Sequence, residues 1–165
     1  MRRSAAAAGS SLFLALAPGT VAVLLPWWLT GWRSGDWWLP VRVLGLVPLV
    51  AGAVVLLFAF ARFVAEGLGT PAPVAPTEHL VVGGLYRHVR NPMYVAVVAL
   101  IAGQALLLAR PVLMVYGAIA GLVMAAFARW YEEPELIGRF GAEYERYRRA
   151  VPGWWPRLRP WRDAG

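Results

Sequence analysis

Apolar residues in this chain fall into long runs, and the polar residues are gathered between the runs instead of alternating with them. The first run extends from about Leu12 to Thr30 and is interrupted by Pro18, Gly19 and Pro26. The second goes from about Val41 to Val64, with Arg62 and Glu66 marking its exit. A third, Met93 to Ala109, is separated from a fourth, Val112 to Ala128, only by Arg110 and Pro111. A bilayer core of roughly 30 Å is crossed by about 17–25 apolar residues in a helix, and a helix satisfies its own backbone where no water is at hand. The pattern predicts an all-α membrane protein with four transmembrane helices, five being the alternative count, in which the last two form a tight hairpin. Those two are short, so Arg110 and Arg129 are expected to snorkel toward the interface.

The first run also admits a signal-sequence reading, with Arg2 and Arg3 as its basic start and Ala15-Leu16-Ala17 as a cleavage site. Apolar sequence continuing to Trp28, and Pro18 directly after that site, favour a span broken by prolines. Trp27, Trp28, Trp32, Trp37 and Trp38 bracket the loop from Gly31 to Pro40, as amphipathic indoles do at headgroup level. From Gly67 to Pro92 the sequence GLGTPAPVAPTEHLVVGGLYRHVRNP is too rich in proline, glycine and polar groups for a lipid-facing span, and a loop is predicted. Beyond the fourth run, Leu136, Ile137, Phe140, Tyr144 and Tyr147 recur at helical spacing, with Arg139, Glu143, Arg146 and Arg149 on the other face. One amphipathic helix from Glu132 to Arg149 is expected, aided by Glu135 with Arg139 and Glu145 with Arg149, and ended by Pro152. The closing WWPRLRPW suits a segment lying on an anionic lipid surface.

Composition narrows the class. A chain of 165 residues that is 59% hydrophobic and 15% charged is too apolar for an ordinary soluble domain, and its length suits a single membrane domain, 1–165. Cysteine is absent, which excludes disulfides, thiolate metal sites and a cysteine nucleophile. No metal site is expected. Lysine is absent too, so all 16 basic side chains are arginine and Schiff-base chemistry is excluded. With four spans, Arg2, Arg3, Arg62, Arg87, Arg90, Arg129 and every later arginine share one side, while Arg33, Arg42 and Arg110 lie opposite. The positive-inside rule then places both termini and the long loop in the cytoplasm, as in a bacterial inner membrane. Because the arginines follow a membrane side and form no stripe with base-stacking aromatics, the net charge of +7 does not predict a nucleic-acid partner.

Candidate chemistry collects in two places. The segment His79 to Tyr94, HLVVGGLYRHVRNPMY, gathers histidine, arginine, asparagine and tyrosine beside glycines that permit close backbone approach to a ligand. At the exit of the fourth run stand Glu132 and Glu133, adjacent carboxylates that are costly at a lipid boundary unless paired or bound to a cation. Arg87, His88 and Arg90 also read simply as basic residues flanking a span. A transporter subunit and a non-catalytic interaction protein of the same fold are the other classes. The third and fourth runs lack the mid-span ionisable residues that a transporter uses.

The string GLYRHVRNPMY, the Glu132-Glu133 pair and FGAEYERYRRAVPGWWP resemble the isoprenylcysteine carboxyl methyltransferase and phospholipid N-methyltransferase superfamily of integral membrane enzymes, over a motif-bearing half spanning 78–156. The resemblance implies S-adenosyl-L-methionine as methyl donor, in a cytoplasm-facing cavity roofed by the loop and capped by the C-terminal amphipathic helix. It implies a lipid-like or hydrophobic acceptor, surrounding membrane lipids as partners, and leaves the oligomeric state open. It further implies His79, Leu80 and Val81 on the adenosyl side, Tyr86 in contact with the cofactor, Asn91, Pro92, Met93 and Tyr94 as the nearest wall, and Glu132 at the ammonium or ribose. Arg90 either pairs with the cofactor's carboxylate or salt-bridges Glu133. Many relatives carry histidine where Asn91 stands, and asparagine hydrogen-bonds without titrating. Gly103-Gln104-Ala105 is the nearest match to a Gly-x-Gly element, and Gly103 is expected to serve helix packing first. Methyl transfer by in-line displacement needs alignment and desolvation above all. Arg129 is the expected ligand of a carboxylate acceptor, and His88 or Glu133 the group that takes a proton from an amine acceptor.

Overall fold

The computed structural model describes residues 12, 13, 16–67 and 79–162. The signal-sequence alternative, which rests on Arg2, Arg3 and Ala15, and the proline-rich part of the long loop lie outside the described residues. The helices are α1 (Leu16–Thr30), α2 (Leu39–Leu44), α3 (Leu46–Gly67), α4 (Pro92–Leu107), α5 (Pro111–Phe127), α6 (Glu133–Phe140) and α7 (Ala142–Ala150). No strand occurs among the described residues. Two helical stretches are long and apolar enough to cross a membrane, Leu39–Arg62 and Pro111–Phe140, while Leu16–Thr30 and Pro92–Leu107 are apolar but shorter. Val47, Leu57 and Phe58 on α3, and Val115, Leu122 and Val123 on α5, are exposed, as lipid-facing residues of spanning helices are.

Proline and glycine set the helix boundaries and contacts. Pro92 and Pro111 each occupy the first position of their helix, where a missing N–H costs nothing. Gly45, Gly52 and Gly103 bring α2 and α3 against α4 with backbone nearly touching. A Cβ on Gly103 would lie 2.6 Å from the Leu49 nitrogen, and one on Gly45 2.7 Å from the Gly103 oxygen. Small residues at such crossings are how apolar helices associate where hydrophobic burial gives no gradient. Gly103 therefore has the packing role expected of it.

α1 carries a π turn, Thr20–Leu24, immediately before Pro26. Leu25 donates back to the Thr20 carbonyl, and Pro26 has no N–H to give, so the carbonyls of Val21 and Ala22 are released from the helix. Both are taken by side chains of other helices: the Tyr116 hydroxyl donates to Val21 O at 2.7 Å and Gln104 Nε2 to Ala22 O at 2.7 Å. The proline break that the sequence displays thus becomes the fastening of α1 to α4 and α5. The same device recurs at the end of α5, where a π turn, Ala128–Glu132, precedes Pro134 and Glu133 donates to the Ala128 carbonyl. The extra residue rotates the following side chains, so that Tyr131 and Glu132 come round to the side used by Val123 and Phe127.

Polar groups segregate to two ends. At one, Gly35 N donates to Leu108 O at 2.8 Å, Arg110 Nε to Arg33 O at 2.8 Å and Arg42 Nε to Leu107 O at 3.1 Å, so Arg33, Arg42 and Arg110 meet where the α1–α2 loop covers the α4–α5 turn. At the other lie the short 3-10 turn Gly84–Arg87, the second π turn, α6, α7 and the tail. The amphipathic helix expected from Glu132 to Arg149 is two helices. Gly141 breaks it in a left-handed conformation, φ 51° and ψ −126°, that favours glycine. The tail after Pro152 returns along the loop before α4. Arg90 N donates to Pro152 O, Asn91 N to Gly153 O, Arg157 N to His88 O and Trp161 N to Arg87 O, while Arg87 Nε also donates to Trp161 O.

Candidate functional site

Where α1, the loop before α4, the π turn, α6 and α7 converge, they enclose a cavity of about 510 Å³, within the range of small-molecule sites. Leu80, Val81, Tyr86, Arg90 and Asn91 reach it from the loop, Pro92, Met93 and Tyr94 from the first turn of α4, and Glu132 from the π turn. These nine of the residues singled out in the sequence are brought together despite the helical hairpin between them. His79 is exposed and does not line the cavity. Several lining residues carry no signal as site residues in the sequence. Phe13, Ala17, Pro18 and Val21 of the first apolar stretch, and Val123, Met124 and Phe127 of α5, read only as span. Tyr144 and Tyr147 of α7 sit three apart on the apolar face of a surface helix, which is how any packing face looks; they are buried under the loop.

The two adjacent carboxylates have opposite surroundings. Glu133 accepts from Arg90 at 2.8 Å on Oε1 and from Arg129 at 3.0 Å and Arg148 at 3.2 Å on Oε2. Glu132 accepts from the Tyr94 hydroxyl at 2.6 Å and has no cationic partner among the described residues. Arg90 also donates to the Tyr144 hydroxyl at 3.1 Å and, through Nε, to the Val151 carbonyl at 2.9 Å. The salt bridge to Glu133, one of its two expected roles, is formed. Burial works against its charge, but the hydrogen bonds it donates to Glu133 and Tyr144 and their Coulombic pull outweigh that and hold its pKa above the ordinary value. Tyr147 donates to the Tyr86 carbonyl at 2.6 Å, and burial pushes its own pKa upward, which keeps it a neutral donor. Trp154 of the tail stacks on Tyr94, with ring centroids 6.3 Å apart and planes 18° apart.

His88, Arg129 and Glu133, the expected catalytic groups, do not line this cavity. His88 Nδ1 lies 2.8 Å from the Arg157 carbonyl, so that nitrogen carries the proton and fastens the tail. Arg129 and Glu133 border a second hollow on the far side of the Arg90–Glu133 pair. The physical reason is helical phase: with the π turn, residue 132 points inward and residue 133 points to the arginines. The main cavity thus offers largely apolar walls, and its polar lining comprises the Glu132 and Glu135 carboxylates, the Arg90 and Arg139 guanidinium groups, tyrosine hydroxyls and the Asn91 amide. Of these groups, Glu132 is a carboxylate with no cationic partner among the described residues, a feature that suits a cationic ligand with apolar parts.

No curated protein matches this chain. The family model described as phospholipid methyltransferase matches residues 41–143, which takes in the end of α2, all of α3 to α6, the loop before α4 and the π turn that carries Glu132. Family members are membrane-associated methyltransferases, in keeping with the two long apolar helices found here. With more than half of its length matched, this chain belongs to the phospholipid methyltransferase family.

Proposed function

We propose that this protein transfers a methyl group from S-adenosyl-L-methionine to a lipid-like acceptor carrying an amine or a carboxylate, at the cytoplasmic face of a membrane crossed four times. The observation that carries it is Glu132, a partly buried carboxylate that faces a cavity of about 510 Å³ and whose partner among the described residues is the Tyr94 hydroxyl. A buried carboxylate is costly without a compensating cation. The cofactor's ammonium or sulfonium charge meets that need, and Leu80, Val81, Met93 and Tyr86 give its adenosyl part apolar walls. When bound, the cofactor supplies an electrophilic methyl group on sulfur.

The chain's own residues bind, orient and exclude water. Tyr94 fixes the Glu132 carboxylate, and Trp154 stacked on Tyr94 fixes the ring. Arg90, held by Glu133, Tyr144 and the Val151 carbonyl, braces α7 against the loop and keeps the roof closed. Val97, Val123, Met124 and Phe127 extend an apolar surface from the carboxylate toward α1, suited to the hydrophobic part of an acceptor. His88, Arg129 and Glu133 act from outside the cavity as wall and tail fasteners. In-line methyl displacement asks for this kind of positioning in a dry site. Segregation of Arg33, Arg42 and Arg110 to the end opposite the cavity supports the four-span arrangement with the site inside.

The test is incubation of purified protein with methyl-labelled cofactor and a lipid extract, followed by identification of labelled species. Label in a lipid fraction is expected. Label recovered only in water-soluble products contradicts a lipid-like acceptor, and cofactor binding without transfer favours a non-catalytic protein of the same fold.

A further inference from the structure

The second hollow, about 330 Å³, is bordered by Arg129, Trp130, Glu133, Pro134, Ile137 and Arg148. The guanidinium groups of Arg129 and Arg148 meet on one oxygen of Glu133, and Arg90 holds the other. Three cations therefore share one anion, and no other acidic side chain among the described residues pairs with any of them. Repulsion between the two outer arginines is only partly compensated. Each also has further N–H donors beyond the one given to Glu133. The apolar run of α5 ends at Phe127, and Arg129 and the exposed Trp130 follow on the next turn, where a headgroup layer begins.

We propose that this hollow binds the phosphate of an anionic membrane lipid. Two forked guanidinium groups match phosphate oxygens, and the net positive charge of the cluster favours a lipid with no cation of its own. Trp130 and Ile137 supply apolar contact for the glycerol and upper acyl region. The site is separate from the cavity that faces Glu132. It rests on the bilayer position proposed above and not on the identity of the methyl donor.

The full chain in detergent is titrated with short-chain phosphatidylglycerol, with diacylglycerol of the same chain length, and with inorganic phosphate, and thermal unfolding is followed. Phosphatidylglycerol is expected to raise the wild-type Tm saturably, and diacylglycerol to leave it unchanged. In Arg129→Gln/Arg148→Gln the apparent affinity for phosphatidylglycerol falls by about tenfold or more. If that variant does not fold, Arg129→Lys/Arg148→Lys keeps both charges beside Glu133 but loses the forks, and it too binds more weakly. Phosphate that is inert at concentrations where phosphatidylglycerol saturates supports the headgroup as ligand. Phosphate acting with equal affinity overturns the lipid assignment, and a diacylglycerol shift as large, or unchanged affinity in the folded variant, overturns the site itself.

Discussion

Glu132 and Glu133 are neighbours in the chain, yet one serves a cavity and the other an arginine cluster, and their substitutions should separate accordingly. Glu133→Gln removes the anion shared by Arg90, Arg129 and Arg148. Breaking a buried ion pair typically costs about 3–5 kcal/mol. The figure is smaller here because Glu133 is 12% exposed but Arg129 is 62% exposed, and a solvated partner contributes little. A loss of about 1–3 kcal/mol is expected, read as a lower Tm for Glu133→Gln than for wild type or Glu132→Gln in the same detergent. Equal Tm values for all three contradict the bracing role. From the sequence, the cost of two carboxylates at a lipid boundary was legible, and so was the cluster of Tyr86, Asn91 and Tyr94. Which glutamate faces the cavity was implied only by the family resemblance, which put Glu132 at the cofactor, and not by the residue pattern. The facing itself depends on one residue of helical phase, set by a π turn that leaves no compositional trace, and the same phase takes Arg129 and Glu133 out of the cavity.

At the scale of elements, the apolar runs and the flanking prolines define the helices well, because both act through the local backbone. The contacts between helices are less visible. The amphipathic stretch keeps its period across Gly141, so the break is hidden even though the glycine itself is in plain view. The docking of the tail on residues 87–91 runs mainly through backbone groups, which every residue type has. Glycine gives the sharpest element-level test, since the same residue type occupies opposite environments. At Gly103, a Cβ meets α3 backbone at 2.6 Å, whereas at Gly138 in α6 nothing lies within 4 Å. Gly103→Val should push α3 from α4 and cost more than the about 1–3 kcal/mol of ordinary overpacking, because backbone cannot move aside as a side chain can. Gly138→Ala should gain about 0.5–1 kcal/mol from helix propensity alone. Thermal unfolding of the two variants checks both signs, and a tolerated Gly103→Val contradicts the close crossing.

On the scale of the molecule, one end is a structural seam of loops and the other holds the cavity, the arginine cluster and the tail. The loop before α4, the π turn after α5 and α7 are far apart in sequence, and the α4–α5 hairpin returns them to a common level. The central claim is that this level holds a cationic cofactor on Glu132, and calorimetric titration of S-adenosyl-L-methionine into purified wild type and Glu132→Gln tests it most directly. A charge-assisted contact contributes about 1.5–3 kcal/mol, so the glutamine variant should bind about tenfold to more than a hundredfold more weakly while its Tm without cofactor matches wild type. Equal affinity in the two proteins, or a wild type that binds no cofactor at all, would contradict it.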